Sequence, residues 1–412
     1  MSEIRAIKGM KDLLDNDAAL YEKVVNVCSK VARNYGYSFI NLPHLEQTQL
    51  FRRSVGESSD IVGKEMYEFV DKGGNDVCLR PEGTAGSVRA FIEKKLDKAK
   101  AKKRWFYHGS MFRYERPQKG RLREFHQFGV ECFNEPSVYE DASVIMILND
   151  IFKELDIKTT LKLNSLGTAQ TLSKYKEELI KFSDGKCLCQ DCKRRRDLNP
   201  IRMLDCKNDE CANELKNAPK LSDFLDDESK KDFIKLQQIL DSCGVKYELD
   251  DSLVRGLDYY CKTAFEFVSD EIGSQSAVAG GGRYDRLVDY LGGESSYGVG
   301  FALGIERIMV ILENKEQKDF YSGIYACVLD ERFLDKMFVL VSDLRKKHSV
   351  TLSYEARKLA KHLKDADSAG FRYFITIGEE EFDNGKILVK DLLNAKQESI
   401  DMSMIDSYGF ED

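Results

Sequence analysis

The stretch "FRYERPQKGRLREFHQFGVECF", residues 112–133, holds two alternating runs joined by a basic loop with Pro117 and Gly120. Alternation with a period of two marks half-buried strands, so residues 103–116 and 123–134 are predicted to pair as an antiparallel hairpin. On its second strand Gln127, Gly129 and Glu131 share one face, and Phe128, Val130 and Cys132 share the other. The apolar face belongs to a core. On the opposite face, Gly129 is expected to leave open space between a carboxamide and a carboxylate, a pocket floor built on rigid sheet. With the turn near Lys119, parity adds Arg113 to that face. The competing reading is a solvent-facing sheet surface with an ion pair.

Outward from the hairpin, 412 residues suggest two or three domains. Hydrophobic residues are 42% and charged ones 32%, which excludes a disordered chain. The opening "MSEIRAIKGMKDLLDN" has no apolar core of a signal peptide, and "IMVIL" (308–312) is too short to span a bilayer, so a cytoplasmic protein is expected. Net charge is −7, wrong for a chain that coats nucleic acid indiscriminately. Basic residues nevertheless cluster at 94–104, 116–123, 193–196 and 357–364, which suggests local docking of a polyanion.

Apolar spacing predicts helices over 16–34, after the turn at 80–84, and over 138–155. Residues 168–240 read as a helical insertion, and strands return at 245–268. "YGVGFALGIERIMVILEN" (297–314) reads as a strand running into a helix. Residues 322–412 alternate β and α units, which predicts a separate α/β domain with a mostly parallel sheet. The first domain spans 1–317, interrupted by the insertion.

Three further segments carry chemistry. In "LRPEGTAG" (79–86), Thr84 suits a helix N-cap and Glu82 the positive end of that helix; a ligand at a strand-to-helix turn is the functional alternative. In "VRGLDYYCKTAFEF" (254–267), Arg255 can reach carboxylate or phosphate oxygens. There, alternation lets one of Tyr259 and Tyr260 pack while the other meets a ligand. "AGGGRYDRL" (279–287) offers three glycines for close backbone approach or a turn, and "GFALGIER" (300–307) sets Glu306 and Arg307 at a helix start. Arginines beside acids and an amide suit ATP-dependent activation of a small carboxylate, where fixed cations must offset two anions brought together.

Taken in order, these segments resemble the class II histidyl-tRNA synthetases of bacterial type over nearly the whole chain. "FRYERPQKGRLREFHQFGVECF" resembles the family's motif 2, "GVGFALGIERIM" its motif 3, and "RGLDYYCKTAFEF" and "LRPEGTAG" its histidine-pocket segments. "IRAIKGMKDLL" resembles its opening. The resemblance implies an α+β catalytic domain on an antiparallel sheet, a helical insertion and a C-terminal α/β anticodon-binding domain. It implies L-histidine, ATP with Mg2+, and tRNA(His) as ligands, and a homodimer using the region around 16–60. Glu82, Gly83, Thr84, Arg113, Gln127, Glu131, Arg255, Tyr259 and Tyr260 would bind histidine. Arg113, Glu115, Arg121 and Arg307 would bind ATP, with Arg113 and Arg255 catalytic. Arg116, Gln118, Lys119 and Arg123 would meet the tRNA acceptor end. A regulatory paralogue that senses histidine is the alternative, but such chains erode the arginines and lack the C-terminal domain. A nucleic-acid-binding module without chemistry leaves the polar face unexplained.

Five of the eleven cysteines crowd into 187–211. Their spacing is near that of a zinc site, with Cys189, Cys192, Cys206 and Cys211 as the ligand set. No zinc-ribbon turn pattern flanks them, so reduced thiols in a poorly cored subdomain are the expectation.

Overall fold

The computed structural model describes residues 3–56, 59, 61–206, 208–254, 259–272, 277–315 and 322–410. Two units form, Met1–Lys315 and Glu316–Asp412.

The first unit opens with α1 (Asp15–Asn34), β1 (Ser38–Phe39), β2 (Leu45–Gln47), α2 (Thr48–Val55), β3 (Tyr67–Val70) and β4 (Asp76–Leu79). Next come α3 (Thr84–Glu93), β5 (Lys103–Phe112), β6 (Glu124–Phe133), α4 (Val138–Glu154) and β7 (Thr160–Ser165). Four helices follow without an intervening strand among the described residues: α5 (Ala169–Ser183), α6 (Gln190–Leu198), α7 (Asp209–Leu215) and α8 (Asp227–Ser242). The chain then re-enters the sheet through β8 (Tyr247–Leu249), β9 (Cys261–Val268), β10 (Ala277–Arg283), α9 (Leu287–Tyr290), β11 (Gly298–Gly304) and α10 (Ile305–Lys315).

The eight-stranded sheet runs β1-β5-β6-β11-β10-β9-β7-β8. Its six central strands pair antiparallel, as expected, and the two edge strands pair parallel. A small sheet, β2-β4-β3, stands beside it. α1, α4 and α10 pack on the large sheet, where Phe128, Val130 and Cys132 are buried. α1 suits this place because Leu20, Val24, Cys28 and Val31 form one apolar stripe, with Asp15 and Asp17 at its N-terminal turn and Arg33 at its last.

The three consecutive glycines make no turn; they lie within β10. A side chain at Gly281 would stand 2.1 Å from the Gly300 carbonyl oxygen, so two strands pass too closely there for any other residue.

The second unit contains β12 (Ile324–Val328), α11 (Leu334–Leu344), β13 (Val350–Leu352), α12 (Leu359–Ser368), β14 (Tyr373–Ile377), α13 (Glu379–Asp383), β15 (Lys386–Asp391) and β16 (Lys396–Asp401). The order is β13-β12-β14-β15-β16. Its sheet is parallel only over β13, β12 and β14; β15 and β16 add an antiparallel hairpin, so the mostly parallel expectation is corrected to half. β16 is polar and exposed along nearly its whole length, which left no alternation to read. Ile324, Ala326, Val328, Ile375, Ile377, Met337 and Val341 form the core. Among the described residues no helix is long and apolar enough to cross a membrane.

Candidate active site

Register fixes the floor of the site. Gln127, Gly129 and Glu131 on β6 stand opposite Gly109, Tyr107 and Trp105 on β5, and opposed residues share a face. The open space expected at Gly129 is filled by Tyr107. A side chain at Gly129 would lie 2.5 Å from the Tyr107 ring, and one at Gly83 would lie 2.2 Å from it. Both glycines therefore make room for a tyrosine, and Gly83 does not line the pocket.

That tyrosine serves Glu131. The Glu131 carboxylate is wholly buried and accepts from Thr84 Oγ1 at 2.7 Å, Tyr107 Oη at 3.2 Å and Tyr284 Oη. Burial pushes its pKa up to about 8, against the three hydroxyls that favour the ion, and nearby Glu82 pushes the same way. Glu131 is not among the residues lining the pocket; it lies behind the lining residue Thr84.

Glu82 takes the capping place expected of Thr84. Its carboxylate accepts from the Thr84 and Ala85 N–H groups at the start of α3, which frees the Thr84 hydroxyl for Glu131. Burial raises the Glu82 pKa, while those N–H groups and Arg113 oppose the shift.

The pocket lining includes Glu82, Thr84, Gln127, Tyr259 and Tyr260. Both tyrosines face it, because they precede β9 and do not alternate as strand residues would. Gln127 Oε1 and Tyr259 Oη are buried with no hydrogen-bond partner among the described residues. Two orphaned polar atoms in one cleft are expensive, about 1–3 kcal/mol each, unless a ligand completes them.

The same cleft is cationic: Arg113, Arg121 and Arg307 line it with Glu115. Arg113 donates through Nε to the Pro81 carbonyl at 2.9 Å and lies over the Phe125 ring. Arg121 pairs with Glu115 at 2.8 Å, and Arg307 donates to the Ala277 carbonyl. Burial lowers the Arg307 pKa, and the charges of Arg121 and Arg113 lower it further. Three mutually repelling guanidinium groups in one cleft are arranged for an anion.

The loop between β5 and β6 turns at Gln118–Arg121, whose backbones exchange hydrogen bonds of 3.0 and 2.9 Å around Gly120 at φ +72°. Gly120 stands against Arg307, so the turn folds beside that side chain. Arg116, Gln118 and Lys119 are exposed, whereas Arg123 lies 3.7 Å over the Tyr114 ring. At the loop's base the Gly9 carbonyl accepts from the Arg123 and Glu124 N–H groups at 2.8 and 3.2 Å. Gly9 has φ +87°, and a side chain there would meet Arg123 Cγ at 2.8 Å. Arg255 lies outside the described residues.

Sequence reasoning missed Tyr107, Tyr284 and His126. Tyr107 was legible as a same-parity neighbour of Arg113 on β5. His126 carries no such signal: its backbone N–H and Nδ1 meet the Glu306 carboxylate at 2.9 and 2.7 Å, a contact that joins residues far apart in sequence.

The profile of the histidyl-tRNA synthetase family matches residues 9–308, and that of an anticodon binding domain matches residues 308–408. The chain belongs to the histidyl-tRNA synthetase family. A histidine–tRNA ligase of Campylobacter lari is 63% identical over 405 residues, covering 98% of this chain and 99% of that one. The apo histidyl-tRNA synthetase of S. aureus superposes with a TM-score of 0.78 at 32% identity, covering 98% of this chain and 99% of the other. A Bacillus halodurans structure described as an ATP phosphoribosyltransferase regulatory subunit/histidyl-tRNA synthetase shares the fold, with a TM-score of 0.66 at 19% identity over 92% of this chain and 98% of that one. This synthetase thus pairs a class II catalytic unit with a C-terminal anticodon-binding unit.

Proposed function

We propose that this cleft activates L-histidine with ATP, and that the chain then transfers the amino acid to the 3′ end of tRNA(His). The chain is an ATP-dependent aminoacyl-tRNA ligase by family. The observation that supports placing the chemistry here is the pair of orphaned atoms, Gln127 Oε1 and Tyr259 Oη, in the same cleft as Arg113, Arg121 and Arg307.

In this reading the α-amino and imidazole N–H groups of histidine donate to Glu82, Gln127 and Tyr259, with Tyr260 and Thr84 closing the walls. Glu131 acts from behind, fixing the Thr84 hydroxyl that lines the pocket. The histidine carboxylate attacks the α-phosphorus of ATP, a mixed anhydride forms, and pyrophosphate leaves. Arg113 offsets the charge at the α-phosphate, and Arg307 and Arg121 hold the departing phosphates. Glu115 would release Arg121 to face the nucleotide. Arg255 is assigned to the bridging position between carboxylate and phosphate by resemblance. A hydroxyl at the tRNA 3′ end then attacks the anhydride and AMP leaves, with Arg116, Gln118, Lys119 and Arg123 at the acceptor strand. Mg2+ would enter with ATP; the lining carboxylates Glu115 and Glu266 are the hard oxygen donors that suit it. We also assign a homodimer using the region around 16–60, and a cytoplasmic setting.

Histidine-dependent ATP–pyrophosphate exchange without tRNA tests the assignment, with Arg113→Ala and Arg255→Ala as controls. Exchange lost in both variants is the expected result. A folded protein that binds histidine yet exchanges no pyrophosphate would instead be a regulatory relative.

A further inference from the structure

We propose that Cys189, Cys192, Cys206 and Cys211 form a tetrathiolate site for one structural Zn2+ in the helical insertion. Their sequence spacing is near that of a zinc site, and only the missing zinc-ribbon turn favoured plain thiols. The fold supplies the ligands differently. Cys189 is the N-cap of α6 and Cys192 lies in its first turn; Cys206 ends a 3-10 turn, and Cys211 lies in the first turn of α7.

The geometry is that of a metal site. All four sulfurs lie within 4.8 Å of one another. The Cys189 and Cys206 sulfurs are 3.8 Å apart. A tetrahedral centre with Zn–S bonds of about 2.3 Å puts its sulfurs roughly 3.8 Å apart, whereas a disulfide needs about 2.05 Å. The donors are sulfur alone, which selects Zn2+ or an iron–sulfur centre over Mg2+ or Ca2+.

Cys192 and Cys211 share a core cluster with Leu188, Ile201, Met203 and Leu221, and a metal there would tie two short helices to the 3-10 turn. α6 buries one side chain, Cys192, and α7 buries only Cys211 and Leu215. Burying so few side chains of their own stabilises these two helices less than the entropy lost in ordering them. A metal joining both helices to the 3-10 turn offsets the difference, as in other small metal-held units. Charge fits as well. Zn2+ with four thiolates carries −2, and Lys193, Arg194, Arg195 and Arg196 follow the second ligand directly. Arg195 donates to the Arg202 carbonyl and Arg196 to Ser183, so two of these cations are fixed on the same subdomain.

The test uses full-length protein purified without chelator. Elemental analysis should find one zinc per chain. Zinc should be released by a mercurial, and Co2+ exchange should produce the visible absorption of tetrahedral thiolate coordination. Cys206→Ser should lose most of the metal, and Cys187→Ser, an exposed neighbour outside the cluster, should keep all of it. Metal content and the cobalt spectrum are read on the parent protein, so they decide the question even where Cys206→Ser misfolds. Metal-free folded protein that takes up no Co2+, iron in place of zinc, or a Cys189–Cys206 disulfide would each overturn the proposal.

Discussion

Replacing Glu131 by glutamine should make the catalytic unit less sensitive to pH, and the structure sets the size of the effect. The folded carboxyl titrates at about 8, against an ordinary value of 4.5. Between those values the folded chain holds a proton that the unfolded chain has released. Stability is therefore fully present below the ordinary value and is lost as pH rises through the folded one, at about 1.4 kcal/mol per pH unit. From pH 5.5 to 7.5 the loss is about 2–3 kcal/mol, and over the whole window about 5 kcal/mol. Glutamine keeps the shape and cannot ionise. The Thr84, Tyr107 and Tyr284 hydroxyls can rotate to suit it. The two proteins should thus diverge with rising pH, glutamine becoming relatively more stable. Trp105 is the sole tryptophan and stands opposite Glu131, so its fluorescence reports this unit alone. Urea midpoints at four pH values between 5.5 and 8.5 give the comparison. Parallel profiles, with a difference independent of pH, would refute the argument that burial holds this acid protonated.

Gln127→Ala should weaken histidine binding roughly tenfold to a hundredfold while leaving ATP affinity nearly unchanged, since one buried acceptor is lost; calorimetry showing equal histidine affinity would count against it. Tyr259→Phe removes an orphaned hydroxyl, so the free protein should hold or gain up to about 1 kcal/mol of stability while its histidine affinity falls. Loss of both, by thermal melt and calorimetry, would mean the hydroxyl has a partner in the free protein. Gly129→Ala drives a methyl into Tyr107 and should destabilise by about 1–3 kcal/mol. An unchanged urea midpoint would show that Tyr107 has room to move.

What the sequence made legible was local. Alternation in 123–134 placed Gln127, Gly129 and Glu131 on one face, and parity across the loop placed Arg113 with them, because register in a hairpin follows from the turn. What it hid was whatever filled the space between elements. Gly129 looked like room for a ligand, yet the room goes to a ring from the neighbouring strand. Glu131 looked like a pocket wall, yet three hydroxyls from α3, β5 and the segment after β10 enclose it. A strand rule sends the paired tyrosines to opposite faces, but it does not apply until Cys261. β7 escaped notice, and so did the β15–β16 hairpin, whose outer strand is too polar to carry a period.

Gly9 has a practical corollary. Its carbonyl holds the backbone of Arg123 and Glu124, so the segment around Gly9 braces the root of the loop that turns beside Arg307. Because that brace is two hydrogen bonds and a glycine seat, it can detach while the sheet stays intact. Purification handles, fusions or trimming placed before Gly9 therefore bear on this loop more directly than on the sheet. A C-terminal handle is the safer choice for anyone measuring rates.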